Sequence, residues 1–246
     1  MTKERFIYLL KDTQLNKVPF IGDHKFKLTK DIAKFGVRNL KGGHTRRPEV
    51  AGAKMYGEQE VTKYIANERN TAIQRDMTFY ALNLLNFSSI GNRKEIFLDI
   101  GCGNGVSSQI IEAKGHMVIG VDISQSLLAH AKWNTSLNDF VQLDVSTGVN
   151  FRSEIFKYAI SVSVLQWFIK EHYLLNLFRT LQFILEKNGK AVFQFYPRVV
   201  TDLDLTLSCA EKFFNGFLVS DFPSANRGVK LFLYLTNNSK VRPYDS

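Results

Sequence analysis

Phe97-Leu98-Asp99-Ile100-Gly101-Cys102-Gly103-Asn104-Gly105 decides the fold. It reads as an apolar strand ending in an acid, then a glycine-rich turn, then a helix opening at Val106. Glycine has no Cβ and takes positive φ freely, so such a loop lets backbone approach a ligand closely. A strand running into such a loop at a helix N-terminus is the nucleotide site of a doubly wound sheet.

Outward from this stretch the pattern alternates. Strands are expected at 95–100, 117–122, 140–145, 158–164 and 190–196, and helices at 106–114, 124–133 and 171–186. That alternation predicts a Rossmann-like α/β fold, a mostly parallel sheet covered on both faces. Upstream, apolar residues between Glu58 and Asn86 recur at helical spacing, as one helix or as two broken in the polar stretch Asn67–Arg75. Ser88–Asn92 reads as a turn. Downstream, a helix near 202–215 precedes two apolar runs, Gly216–Phe222 and Leu231–Thr236, expected to pair antiparallel at the sheet edge. No internal repeat or low-complexity segment interrupts the chain.

At 246 residues and 45% hydrophobic composition, the chain suits one large domain with an appendage, and no apolar run is long enough to span a bilayer. Two cysteines give neither a disulfide framework nor a zinc pattern and fit a reducing compartment. The net charge of +9 is unevenly placed: residues 1–47 hold twelve Lys or Arg against four Asp or Glu, the rest twenty against nineteen. We therefore divide the chain into a basic, loosely ordered extension over 1–47, a domain over 48–238 and a short tail over 239–246, with Pro48 at the first boundary. The extension is a solvated arm or a nucleic-acid contact. It has no serine and no apolar core, which argues against transit and signal peptides.

Which nucleotide the loop takes follows from its chemistry. A dinucleotide loop wants G-x-G-x-x-G, but its third glycine position falls on Val106 and the extra glycine sits at 105. Asp99 just before the loop would repel a pyrophosphate and suit a cationic, phosphate-free ligand. S-adenosylmethionine has that character, so Asp99, Gly101, Cys102, Gly103 and Gly105 are assigned to its binding. The next strand ends in Asp122-Ile123-Ser124: Asp122 accepts the ribose hydroxyls or merely starts the turn, and Ser124 caps the next helix. The third strand ends in Asp144-Val145, where Asp144 meets the adenine amino group and Val145 offers backbone, or Asp144 is a surface turn acid. Past the fourth and fifth expected strands come Gln166-Trp167 and Tyr196-Pro197. Strand tips of an open parallel sheet border one crevice, so these residues belong beside the methyl group, although Trp167 also reads as a packed aromatic.

Several segments together resemble one family: Arg47-Pro48-Glu49, Tyr56 with Tyr64 and Arg69, Asp99–Gly105, Ser161-Val162-Ser163 with Gln166-Trp167, and Gln194-Phe195-Tyr196-Pro197. This is the eukaryotic 18S rRNA guanine-N7 methyltransferases, the Williams–Beuren syndrome region methyltransferases, and the likeness runs from about Arg47 to about Asn238. The resemblance implies a nuclear enzyme of small-subunit ribosome biogenesis that modifies rRNA in the pre-ribosome. It also implies a small zinc-binding activator protein that adds strands to the sheet edge. The family's Lys/Arg-rich tail has no match in Lys240–Ser246, and the extension over 1–47 has no counterpart. The extension is expected to replace the tail as the RNA contact.

Guanine N7 carries a lone pair and no proton, so its methylation needs positioning rather than a general base. The five histidines are scattered away from the strand tips. No metal-ligand spacing appears. Gln166, Trp167 and Tyr196 are expected to position the base, with Tyr64 and Arg69 closing over the donor and Arg69 pairing with its carboxylate or lying on a solvated helix face. Competing readings are a methyltransferase acting on tRNA, protein or a small molecule, a ribosome-assembly scaffold with dispensable chemistry, and, least favoured, a dinucleotide oxidoreductase.

Overall fold

A computed structural model describes residues 16–20, 58–85, 94–136, 138–197, 199–221 and 230–238. Among these residues eight strands form one sheet: β1 (Asn16–Phe20), β2 (Ile96–Ile100), β3 (Met117–Asp122), β4 (Asp139–Gln142), β5 (Phe156–Val162), β6 (Leu185–Phe195), β7 (Asn215–Asp221) and β8 (Lys230–Thr236). Their spatial order is β1-β7-β8-β6-β5-β2-β3-β4. The strands from β4 through β6 run parallel, while β8, β7 and β1 add in antiparallel succession. From β2 the chain winds outward to β3 and β4, then returns to the other side of β2 as β5. That reversal opens a crevice at the C-terminal ends of β2 and β5.

Among the described residues six α-helices flank the sheet: α1 (Glu58–Ile65), α2 (Glu68–Leu84), α3 (Val106–Ala113), α4 (Gln125–Asn134), α5 (Glu171–Ile184) and α6 (Val200–Glu211). The strands alternate between two cores. On β2, Leu98 and Ile100 join Leu177, Phe178 and Leu181 of α5 and Leu203 and Leu207 of α6. Phe97 turns the other way, onto Met77, Ala81 and Leu82 of α2 and Ile111 of α3. By the same parity Asp99 lies on the α3 face. Buried on both sides, these strands read as continuous apolar runs, which is why they were visible in the sequence.

The boundaries shift for local reasons. The expected strand 158–164 is β5, which stops at Val162 because Ser163 takes φ +63°. The strand expected at 140–145 ends at Gln142, and Asp144 instead caps a 3-10 turn over Val145–Thr147. β6 starts at Leu185 rather than 190, and the helix expected near 202–215 is Val200–Glu211. The Glu58–Asn86 segment is two helices. Their break falls at Ala66-Asn67, where the Asn67 side chain accepts the Asn70 N–H at 3.0 Å and starts α2.

The expectation of a loosely ordered extension is corrected over Asn16–Phe20, which pairs as β1 with β7, Asn16 opposite Ser220 and Phe20 opposite Gly216. The remainder of 1–47, Arg47-Pro48-Glu49, Tyr56, the Ser88–Asn92 turn and the tail at 239–246 lie outside the described residues.

Candidate active site

The crevice is a cleft of about 510 Å³ with two walls. The first is the glycine loop. Gly101 and Gly103 have φ of +69° and +55°, and the Val121 carbonyl at the tip of β3 accepts from the N–H groups of Gly101 at 2.7 Å and Cys102 at 3.1 Å. A Cβ on Gly101 would stand 2.2 Å from the Val164 side chain, so glycine lets the loop close against the segment after β5. A Cβ on Gly103 would meet nothing nearer than the Tyr64 hydroxyl at 3.9 Å, on the open side of the loop. Gly105 does not line the cleft. It admits Ala131 of α4 against the start of α3.

Asp122 is fixed by the loop it faces. The Gly103 N–H donates to one carboxylate oxygen at 2.9 Å and the Ser124 N–H to the other at 2.8 Å. Burial raises its pKa, and those backbone donors moderate the shift. The Ser124 hydroxyl meanwhile accepts the Leu127 N–H and caps α4, as expected. Ile123, Asp144 and Val145 line the same wall. One oxygen of Asp144 accepts the Ser146 N–H at 2.9 Å, so this residue is both cap and cleft wall.

Asp99 departs from the expected cofactor contact, Arg69 takes the solvated-face alternative, and Cys102 keeps its place. Asp99 does not line the cleft: strand parity turns it beneath α3, where the hydroxyls of Ser107 and Ser108 donate to one carboxylate oxygen at 2.6 and 2.7 Å. Burial pushes its pKa up to about 6, with the two hydroxyls opposing and the charge of Asp122 adding. Arg69 is exposed on α2 and away from the cleft, while Tyr64 on α1 lines it. The Gln74 amide donates to the Tyr64 oxygen, and burial raises the phenol's pKa. Cys102 lines the cleft, but burial first, then the charges of Asp99 and Asp122, push its thiol well up, so it is a packed thiol and not a nucleophile.

The second wall is a chain of hydrogen bonds between the tips of β5 and β6. Ser163 donates its N–H to the Gln194 carbonyl at 2.8 Å and its hydroxyl to the Gln194 side-chain oxygen at 2.9 Å. The Gln166 amide donates to the Ser163 carbonyl at 2.7 Å, and its oxygen accepts the Tyr196 N–H at 3.2 Å. Gln166 thus ties the wall together. The buried Gln194 amide nitrogen has no hydrogen-bond partner. Trp167 and Tyr196 line the cleft, Trp167 also packing against the α5–α6 core, so both readings of Trp167 hold at once.

The sequence reading missed Asn70, Gln74 and Thr78, which share one face of α2, and Tyr173 on α5. Polar residues at helical spacing within the α2 stripe were the available signal for the first three.

Among the described residues the cleft is lined by two carboxylates, Asp122 and Asp144, and by no Lys, Arg or His. Such a wall disfavours a polyphosphate and suits a cationic ligand carrying a nucleoside, with Asp122 placed to accept hydroxyls. The residues present fit S-adenosylmethionine. A cradle of this chemistry at the reversal point of a mostly parallel sheet defines the Rossmann-like class I methyltransferases.

Solved structures agree on the fold. A TehB-like SAM-dependent methyltransferase from Corynebacterium glutamicum superposes with a TM-score of 0.55 at 20% identity, over 73% of this chain and 99% of that one. The N-methyltransferase NodS from Bradyrhizobium japonicum gives 0.54 at 14%, over 74% and 98%. Residues 98–193 match a family model described as a methyltransferase domain. By sequence, the chain is 35% identical over 202 residues to the 18S rRNA (guanine-N(7))-methyltransferase bud23 of Schizosaccharomyces pombe, covering 78% of this chain and 72% of the relative. To the 18S rRNA (guanine-N(7))-methyltransferase of Mus musculus it is 34% identical, over 78% and 71%. The chain belongs to the 18S rRNA (guanine-N7)-methyltransferase family.

Proposed function

We propose that this protein transfers a methyl group from S-adenosylmethionine to N7 of a guanine in small-subunit rRNA during ribosome biogenesis in the nucleus. One observation carries the reading: an acid-lined, cation-free cradle faces an aromatic wall of Trp167, Tyr173 and Tyr196 across a single cleft. Family membership supplies the acceptor class.

The donor, when bound, supplies a methyl group made electrophilic by its sulfonium. Asp122 would accept the ribose hydroxyls, its carboxylate held still by the N–H groups of Gly103 and Ser124. Asp144 and Val145 border the adenine, and Tyr64, braced by Gln74, covers the loop from α1. Asp99 acts one layer back, joining β2 to the first turn of α3 and so setting the loop's shape. Guanine N7 attacks with its own lone pair and loses no proton, so the wall needs no base. Its task is to seat an unstacked guanine and hold N7 at near-attack distance. Trp167 and Tyr196 receive the base, and Gln166 fixes their spacing.

The edge partner is a small zinc-binding activator. β7 is paired with β1, so such a partner takes the β7 edge in exchange for β1. The basic residues of 1–47 supply a further contact to RNA.

The test uses rRNA from cells in which this chain is the sole enzyme of its family. Borohydride and aniline treatment followed by primer extension detects N7-methylguanosine as a strand break. The break is expected with the wild type and absent with Asp122→Ala, while Trp167→Ala lowers turnover by a factor on the order of 10². A wild-type chain that binds the donor yet leaves the rRNA uncleaved would overturn the proposal.

A further inference from the structure

Among the described residues the cleft has no cation in its lining, whereas an RNA acceptor is a polyanion whose phosphates need cations to meet them. Two lysines stand there in the same arrangement. The Lys230 ammonium at the start of β8 lies 4.8 Å from the ring centroid of Tyr196, and the Lys170 ammonium just before α5 lies 5.6 Å from that of Tyr173. Both tyrosines line the cleft. Lys230 is only 9% exposed, and neither lysine forms an ion pair with a carboxylate whose side chain the structure describes. Glu171, the acid next to Lys170, is taken by Lys212 at 3.2 Å.

An ammonium held against an aromatic face is attracted to it yet keeps its charge and its N–H donors for an anion. The arrangement makes sense if an anion completes it. Each site offers the same pair of features, a flat ring bordering the cleft and a cation over that ring. A nucleotide matches both, its base stacking on the ring and its phosphate meeting the ammonium. Apolar side chains, Ile169 beside Lys170 and Val199 beyond Pro197, stand about half exposed near the two platforms. The platforms come from different elements, one after β5 and one at the β6–β8 junction, so they flank the entry to the cleft.

We propose that Lys230 with Tyr196 and Lys170 with Tyr173 form two subsites for single-stranded RNA, binding the phosphodiesters on either side of the target nucleotide. The proposal rests on the reading of the acceptor as RNA. The lysines act through affinity and register, leaving the donor site untouched.

The test is binding and methylation of an oligoribonucleotide from the small-subunit rRNA by the full chain, with Lys230→Met, Lys170→Met, Lys230→Arg and, as a control, Lys114→Met, whose ammonium stands over the ring of Phe79, outside the cleft lining. Each Met variant at positions 230 and 170 is expected to raise KM for the oligonucleotide about tenfold. Each also lowers the slope of log Kd against log salt by about 0.7, the value for one phosphate contact on a single strand. The Kd for S-adenosylmethionine, measured by calorimetry, stays at the wild-type value, which also certifies the fold. Lys230→Arg restores the slope and Lys114→Met behaves as wild type. Unchanged KM and slope in both Met variants, with the wild type still methylating the oligonucleotide, would overturn the subsites alone. A wild type that neither binds nor methylates it would overturn the RNA reading and the subsites together.

Discussion

Asp99 holds its carboxyl under the first turn of α3, where burial raises the pKa to about 6. An exposed aspartate titrates near 3.9, so this group binds its proton more tightly in the folded chain than in the unfolded one. Its contribution therefore favours folding below about pH 4 and is lost as the pH rises to about 6. Two pKa units correspond to on the order of 3 kcal/mol. Asparagine keeps an acceptor for the Ser107 and Ser108 hydroxyls but cannot ionise. In urea unfolding between pH 4 and 7, Asp99→Asn is expected to lose the downward slope that the wild type shows, so that the variant gains on the wild type as pH rises. Parallel curves for the two proteins would contradict the burial argument. The residue type at position 99 was legible and its direction was not. An acid before a glycine loop suggests contact with a cation, but the strand's two-residue parity decides which face it takes. Gln166 is a similar case: its place at the rim followed from the strand tip, whereas the two backbone bonds its amide makes depend on where β6 ends.

Among the elements, the alternating parallel core could be read because strands buried on both faces are apolar runs bounded by turns. The antiparallel pairing of β7 with β8 was legible for the same reason. β1 was not. Asn16-Lys17-Val18-Pro19-Phe20 is short, and its proline demotes it as a strand, yet a proline is tolerated at a sheet edge where a missing N–H is not needed. The pairing with β7 closes an edge that would otherwise present unpaired N–H and C=O groups. Deleting residues 1–47 is therefore expected to leave the parallel core intact and bare β7. Amide hydrogen exchange along Gly216–Val219 should speed up roughly tenfold or more, each ~1.4 kcal/mol of lost local protection giving a factor of ten, while Val192 and Phe193 in β6 stay protected. The same deletion should increase capture of a co-expressed zinc-binding activator, because exchange with β1 no longer competes. Unchanged exchange along β7 would show that β1 does not protect it in solution.

Over the whole molecule, charge and chemistry are kept apart. Residues 1–47 carry twelve Lys or Arg against four Asp or Glu, whereas the remaining chain is nearly balanced. The glycine-loop wall of the cleft was legible because it is local in sequence, one loop and the next strand tip. The opposite wall was legible only in outline, because Ser163, Gln194, Gln166 and Tyr196 become one wall only when β5 and β6 lie side by side. In the proposed function the basic segment is the source of a long-range field that draws in a polyanion. Removing it should weaken RNA binding at low salt and flatten the salt dependence. At about 0.7 per phosphate on a single strand, six lost contacts lower the slope by about 4. Trp167→Ala should do the reverse, reducing turnover while leaving the slope in place, because it alters how the base is seated and not how many counterions are released. Titrating small-subunit rRNA between 50 and 200 mM salt separates the two. If the chain lacking 1–47 kept the wild-type slope, the attraction would have to come from the rim lysines alone, and the basic segment would be left with the pairing of β1 as its role.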